Sequence, residues 1–183
     1  LTVNGTAGVV MATQNFGVLP TKNWQQGTFD GWEKIDGEQL TKRFLKKNSA
    51  CYGCPIGCGR LTKVDDPHFK GEGEGPEYET VYAMGSNCMI DNLAAITKAN
   101  YLCNELGMDT ITMGATIACA MELVDRGYLP KNQVGRSLNW GDAEALVELT
   151  RMAGNREGFG DQLAEGSFRL ADRYGHPELA PVS

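Results

Sequence analysis

The sequence predicts a mainly α-helical, multihelical domain that carries one elaborated cysteine loop. Two observations point to the fold class. From Tyr78 onward apolar residues recur at helical spacing in one segment after another, and the breaks between segments are short and carry Gly or Pro. A third observation gives the loop: three of the six cysteines fall in the run Cys51-Tyr-Gly-Cys54-Pro-Ile-Gly-Cys58. With 183 residues, 42% hydrophobic and 22% charged, the chain can bury one core and reads as a single domain over residues 1–183.

The elements follow in order. Residues 7–16 read as a short helix with Thr6 as N-cap and Gly17 as its left-handed stop, and Pro20 forces an extended exit. Residues 23–37 are turn-rich, an irregular segment pinned by Trp24, Phe29 and Trp32. Asp36 then caps a charged helix over 37–48, with Leu40, Phe44 and Leu45 on one face and Lys42, Arg43, Lys46 and Lys47 outside. After the cysteine loop, residues 60–64 suit a short strand, and the polar, glycine-rich stretch 65–76 reads as a surface loop.

Helices follow at about 79–89, 93–106, 110–126, 142–153 and 160–174. The pair 93–106 and 110–126 is apolar on more than one face: Leu93, Ile96, Ala99, Cys103 and Leu106, then Ile111, Ala115, Ala118, Cys119 and Val124. Such helices are covered by neighbours. In the last segment Leu163 and Phe168 are expected to pack, with Gly166 allowing a close helix crossing.

Charge and hydropathy exclude several classes. The chain has 17 basic and 23 acidic side chains, a net charge of −6, and no basic run longer than Lys46-Lys47, so neither a nucleic-acid backbone nor an anionic membrane is an expected partner. Residues 1–21 lack charge, but Asn4, Gly5, Thr6, Gln14 and Asn15 interrupt them, which fits neither a signal peptide nor a membrane span. A reducing, cytoplasmic setting is the expectation. The sequence opens abruptly on Leu1, as a piece of something longer would.

Three groups of residues carry chemistry. Cys51, Cys54 and Cys58 place three thiolates in one glycine-rich loop, as an iron–sulfur cluster requires: each corner takes a soft ligand, and small residues let backbone N–H groups approach sulfur. A four-ligand zinc site using the nearby His68, and inert core thiols, are the other readings of the spacing. Cys88, Cys103 and Cys119 are the candidates for a fourth ligand within the chain. Each lies in an apolar helical stretch, where cysteine serves as a small hydrophobe.

The second group is Glu72, Glu74, Glu77 and Glu79. The first two read as a solvated acidic loop. Glu77 and Glu79 stand where loop becomes helix, and a carboxylate there can transfer protons. The third is Asn104-Glu-Leu-Gly-Met-Asp109, a tight turn with Gly107 stopping one helix and Asp109 capping the next. Its exposed N–H groups and acceptors suit an anionic or heteroaromatic ligand.

Taken together with Gly5-Thr-Ala-Gly8, Gly17-Val-Leu-Pro20, Gly75-Pro-Glu-Tyr-Glu79, Trp140-Gly-Asp142 and Gly158–Gly166, these groups make a chain that resembles the tungsten-containing aldehyde:ferredoxin oxidoreductases over nearly its whole length. The resemblance implies the middle helical domain of a longer enzyme, whose N-terminal β-rich and C-terminal helical domains lie outside this sequence. It implies that Cys51, Cys54 and Cys58 hold three corners of a 4Fe-4S cluster, with the fourth ligand in the last domain. It implies a tungsten (or molybdenum) bis-pterin contacted by the 104–109 turn through Asn104, Gly107 and Asp109, although Asn104 stands where the family usually has Asp and Met108 where it has Leu.

It also implies that Glu79, with Glu77 in reserve, lies beside the metal and handles a proton. The reaction so implied converts a small aldehyde and water to a carboxylic acid and sends electrons through the cluster to ferredoxin. The competing expectation from another class is a non-catalytic iron–sulfur electron-transfer or structural zinc-binding module, which would need neither Glu79 nor the 104–109 turn.

Overall fold

The structure is a computed structural model and describes residues 1–181. Among these, nine α-helices and one small sheet make up the chain: α1 Val9–Asn15, α2 Gly37–Phe44, β1 Leu45–Ser49, β2 Gly59–Val64, β3 Gly71–Glu74, α3 Tyr78–Met84, α4 Leu93–Leu106, α5 Thr110–Asp125, α6 Lys131–Val134, α7 Ala143–Asn155, α8 Gly160–Leu163 and α9 Ser167–Arg173. The mainly α prediction holds. Among the described residues no helix is long and apolar enough to cross a membrane.

The centre is α5, buried along most of its length through Met113, Ile117, Ala118, Met121 and Leu123. It packs against α3 and α9, while α4 packs against α7. The ends of the central pair are set by local chemistry. The Asn92 side chain accepts from the N–H groups of Ala94 and Ala95 at the start of α4, and Gly107 stops it at φ +70°. Asp109 then accepts from Thr112 N–H to start α5. Each fully buried Leu or Ile contributes roughly 1.5–3 kcal/mol.

Several expectations are corrected. The charged helix stops at Phe44, and residues 45–49 form β1. Pairing explains this: β1 runs antiparallel to β2, with Asn48 opposite Arg60 and Ser49 opposite Gly59, so the cysteine loop is the tip of a hairpin. The glycine-rich stretch contains β3, paired antiparallel to β2. Its glycines are where the Tyr101 ring crosses the strand, and a Cβ on Gly71 would meet that ring at 2.7 Å.

The last predicted helix is two, α8 and α9, broken at Gly166 with φ +87°. Among the described residues, no atom beyond its chain neighbours lies within 4 Å of where a Cβ would sit on Gly166, so it breaks the helix rather than serving as a crossing point. The close crossing falls on Gly160, whose Cβ would run into the Met152 backbone. Phe168, Leu106 and Ile111 are exposed, although Leu106 covers Gly154 of α7.

The α3–α5 contact depends on Gly114, where a Cβ would stand 2.6 Å from the Ala83 carbonyl. Gly114→Ala should therefore cost about 1–3 kcal/mol through overpacking, although alanine is the better helix former. Chemical denaturation of the two proteins measures the difference.

Candidate functional site

The N-terminal turn joins the parts of the site. Gly5 has φ +62°, and a Cβ there would lie 2.9 Å from Arg60 Nε and 3.1 Å from the Cys58 carbonyl oxygen, so the turn rests on the base of the cysteine hairpin. The Thr6 hydroxyl accepts from the Tyr78 N–H at 2.8 Å and donates to the Glu77 carboxylate. The expectation that Thr6 caps its own helix is overturned. A single 3-10 turn, Thr6–Gly8, precedes α1, neither has a side-chain cap, and Thr6 instead serves the first turn of α3 across space.

Residues 50–58 hold Cys51, Cys54 and Cys58, the first exposed, the other two half-exposed, and all three free. The loop turns through a hydrogen bond from Cys54 N–H to the Cys51 carbonyl at 3.0 Å and through Gly53 and Gly57, at φ +68° and +59°. Among the described residues, no three His, Cys, Asp or Glu side chains are placed to hold a metal ion.

The donor chemistry nevertheless fits a soft metal centre: three thiols in nine residues, accessible and without competing partners. Charge complements it. Arg60, two residues beyond Cys58, is 2% exposed, and its guanidinium meets only neutral acceptors: Asn48 and the carbonyls of Leu1 and Thr2 at 3.0 and 2.9 Å. Its Nε has no partner among the described residues. A buried cation without a carboxylate suits a neighbouring loop that would carry thiolate charge.

Cys88, Cys103 and Cys119 are a different population. All are buried. Burial alone pushes the Cys88 thiol far up, and burial with the charge of Asp109 or Glu122 pushes Cys103 and Cys119 up to about 12. They are core thiols, as expected.

The fold brings the carboxylate box and the 104–109 turn together. Thr80 of α3 and Thr110 of α5 share a 2.7 Å hydrogen bond between hydroxyls. Beside it lies a cleft of about 240 Å³ lined by Met108, Asp109, Thr112, Met113, Leu163 and Gly166, which joins the turn to the 158–166 segment. Asn104, Gly107 and Asp109 are exposed, Asp109 at the cleft, and one Asp109 oxygen is engaged as the cap at 2.6 Å from Thr112 N. Glu79 is exposed; Glu77 is half-buried and held by Thr6. Burial, then the charge of Glu79, pushes the Tyr82 hydroxyl pKa well up.

One neighbouring feature escaped the sequence. Lys22, Asn23 and Trp24 have φ of 52°, 49° and 65°, three successive non-glycine residues in the left-handed region, at a cost of about 1 kcal/mol or more each. Only Asn23, a residue that tolerates this conformation, hinted at it.

The chain matches the family described as aldehyde ferredoxin oxidoreductase, domains 2 and 3, over residues 1–183. It is 46% identical over 178 residues to the tungsten-containing aldehyde ferredoxin oxidoreductase of Pyrococcus furiosus and 44% identical over 178 residues to that of Thermococcus kodakarensis, covering 96% of this chain and 29% of each relative. It is 37% identical over 153 residues to the aliphatic sulfonate oxidoreductase, WOR-like subunit, of P. furiosus, covering 83% of this chain and 24% of that protein. Among solved structures, the active-site complex BamBC of benzoyl coenzyme A reductase with 1,5-dienoyl-CoA shares the fold. Its TM-score is 0.70 at 20% identity, over 92% of this chain and 25% of that one.

The two cysteine populations should separate by reactivity. Iodoacetamide on the folded, iron-free protein at pH 8 is expected to modify Cys51, Cys54 and Cys58 and to spare Cys88, Cys103 and Cys119 until denaturant is added, as read by peptide mass spectrometry.

Proposed function

The chain belongs to the aldehyde ferredoxin oxidoreductase family, and from that membership we propose that it forms the middle helical domain of an enzyme that oxidises a small aldehyde, in a reducing cytoplasm, with ferredoxin as electron acceptor. It spans under a third of the length of the relatives it matches, so the remaining domains of the same polypeptide would be its nearest partners. The observation that carries the reading is 46% identity over 178 residues to an enzyme of that name. Aldehyde is favoured over sulfonate because the relatives named for aldehyde are the more similar.

Cys51, Cys54 and Cys58 would hold three corners of a 4Fe-4S cluster, with Arg60 as the buried counter-charge. Asn104, Gly107 and Asp109 would face one pterin of a tungsten (or molybdenum) bis-pterin. Asp109 has one carboxylate oxygen left to accept an N–H after capping α5, and Asn104 can accept with one end of its amide and donate with the other. The chemistry these groups supply when bound is the removal of two electrons from R–CHO plus water, giving R–COOH and two protons, and their passage one at a time toward ferredoxin.

The part left to this chain is the proton. Glu79, exposed on the first turn of α3, is free to accept one and release it to solvent. Glu77 already accepts the Thr6 hydroxyl, which fixes its position and makes it the reserve.

In the full-length protein, aldehyde-dependent reduction of a viologen dye should fall about 10²–10⁴-fold in kcat with Glu79→Gln, and less with Glu77→Gln. Cys54→Ser should abolish the broad visible absorbance of the cluster while leaving the helical circular dichroism in place. Zinc without iron on elemental analysis, together with no turnover, would instead fit the structural zinc module.

A further inference from the structure

The left-handed turn Lys22–Trp24 is over-determined by its surroundings. The N–H groups of Lys22 and Asn23 donate to the carbonyls of Ser86 and Asn87 at 3.1 and 2.9 Å, and Trp24 N–H donates to Asn87 Oδ1 at 3.0 Å. Asn23 Nδ2 donates to Glu122 at 2.6 Å and to the Leu179 carbonyl at 2.9 Å. Glu122 is itself buried, and Arg126 balances its charge at 2.6 Å.

So much fastening would be ordinary if it buried the tryptophan. It does not, because Trp24 is 54% exposed. Left-handed backbone at a bulky residue persists only where its neighbours impose it, and such positions gather at functional sites.

What the turn fixes is a ring next to the carboxylate box. Trp24 stands edge-on against Tyr82, centroids 5.9 Å apart at 73°, and Tyr82 lies 5.3 Å from Tyr78. Glu79 is three residues from Tyr82 on α3, hence on the same helix face. An exposed indole, held rigid against the buried Tyr82 on the face of α3 that carries Glu79, offers an apolar surface beside a carboxylate.

We infer that Trp24 is a specificity-determining residue of this enzyme, the wall that receives the apolar group R of the R–CHO substrate. This rests on the aldehyde reading above. A fixed indole face stacks with a flat aromatic R and gains little from a methyl group, so the preference should run from aromatic to short aliphatic aldehydes.

The test uses the full-length protein with benzaldehyde and acetaldehyde as substrates, and benzoate and acetate as product ligands in calorimetry. Trp24→Ala should lower the benzaldehyde-to-acetaldehyde ratio of kcat/KM about tenfold, and Trp24→Phe should restore most of it. Benzoate should bind about tenfold more weakly to Trp24→Ala, with acetate binding unmoved. The exposure of the ring predicts an unchanged melting temperature.

An equal loss on both aldehydes, or an unchanged ratio and unchanged benzoate affinity, would overturn the assignment while leaving the aldehyde reading intact. A wild-type enzyme that oxidises neither aldehyde defeats that reading, and the Trp24 assignment with it.

Discussion

The hydroxyl of Thr6 is the constraint on which the rest of the site depends. The first N–H groups of a helix have no partner inside it, and α3 has no side-chain cap of its own at Glu77. Thr6 supplies one from 72 residues away, accepting from Tyr78 N–H and donating to Glu77 with the same oxygen. Because Gly5, next to it, lies against Arg60 and the Cys58 carbonyl, that hydrogen bond ties the base of the cysteine hairpin to the start of α3, where both candidate carboxylates stand. The α3–α5 contact then extends the same rigid unit to Asp109 through Thr80 and Thr110. The candidate carboxylates and the cysteine loop are thereby fixed relative to one another by backbone and short side chains, which have little conformational entropy to lose.

Much of this was legible in the residues, for local reasons. The helices α4 and α5 carry a long apolar period and chemical punctuation at the turn between them, Gly107 and Asp109, so their ends fall where the residues place them. The division of the cysteines was equally legible, because three sit among glycines and three among aliphatic residues. What escaped was non-local. Lys46, Lys47 and Asn48 suit the outside of a helix, and only pairing with β2 makes them a strand. The glycines of β3 look like loop until Tyr101 is laid across them. Thr6 precedes a helix and reads as its cap, whereas its partner is remote in sequence. Nothing in Lys22-Asn-Trp24 announces three left-handed residues, since the restraints come from Ser86, Asn87, Glu122 and Leu179.

The electrostatics follow the same division. Among the described residues the buried guanidinium of Arg60 has no carboxylate partner, and the uncharged thiols of Cys88, Cys103 and Cys119 are kept so by burial. A positive charge fixed near the loop and neutral sulfur kept in the core is an arrangement that would favour a soft metal at one set of cysteines over the other.

We propose that the loop of Cys51, Cys54 and Cys58 holds iron in the full-length enzyme. X-ray absorption at the iron K edge of the full-length protein tests it most directly. Iron in tetrahedral sulfur coordination, with an Fe–Fe distance characteristic of a cluster, is expected, and that signal should be lost in Cys54→Ser. Iron surrounded by nitrogen and oxygen, or a sulfur-coordinated zinc edge in its place, would contradict it.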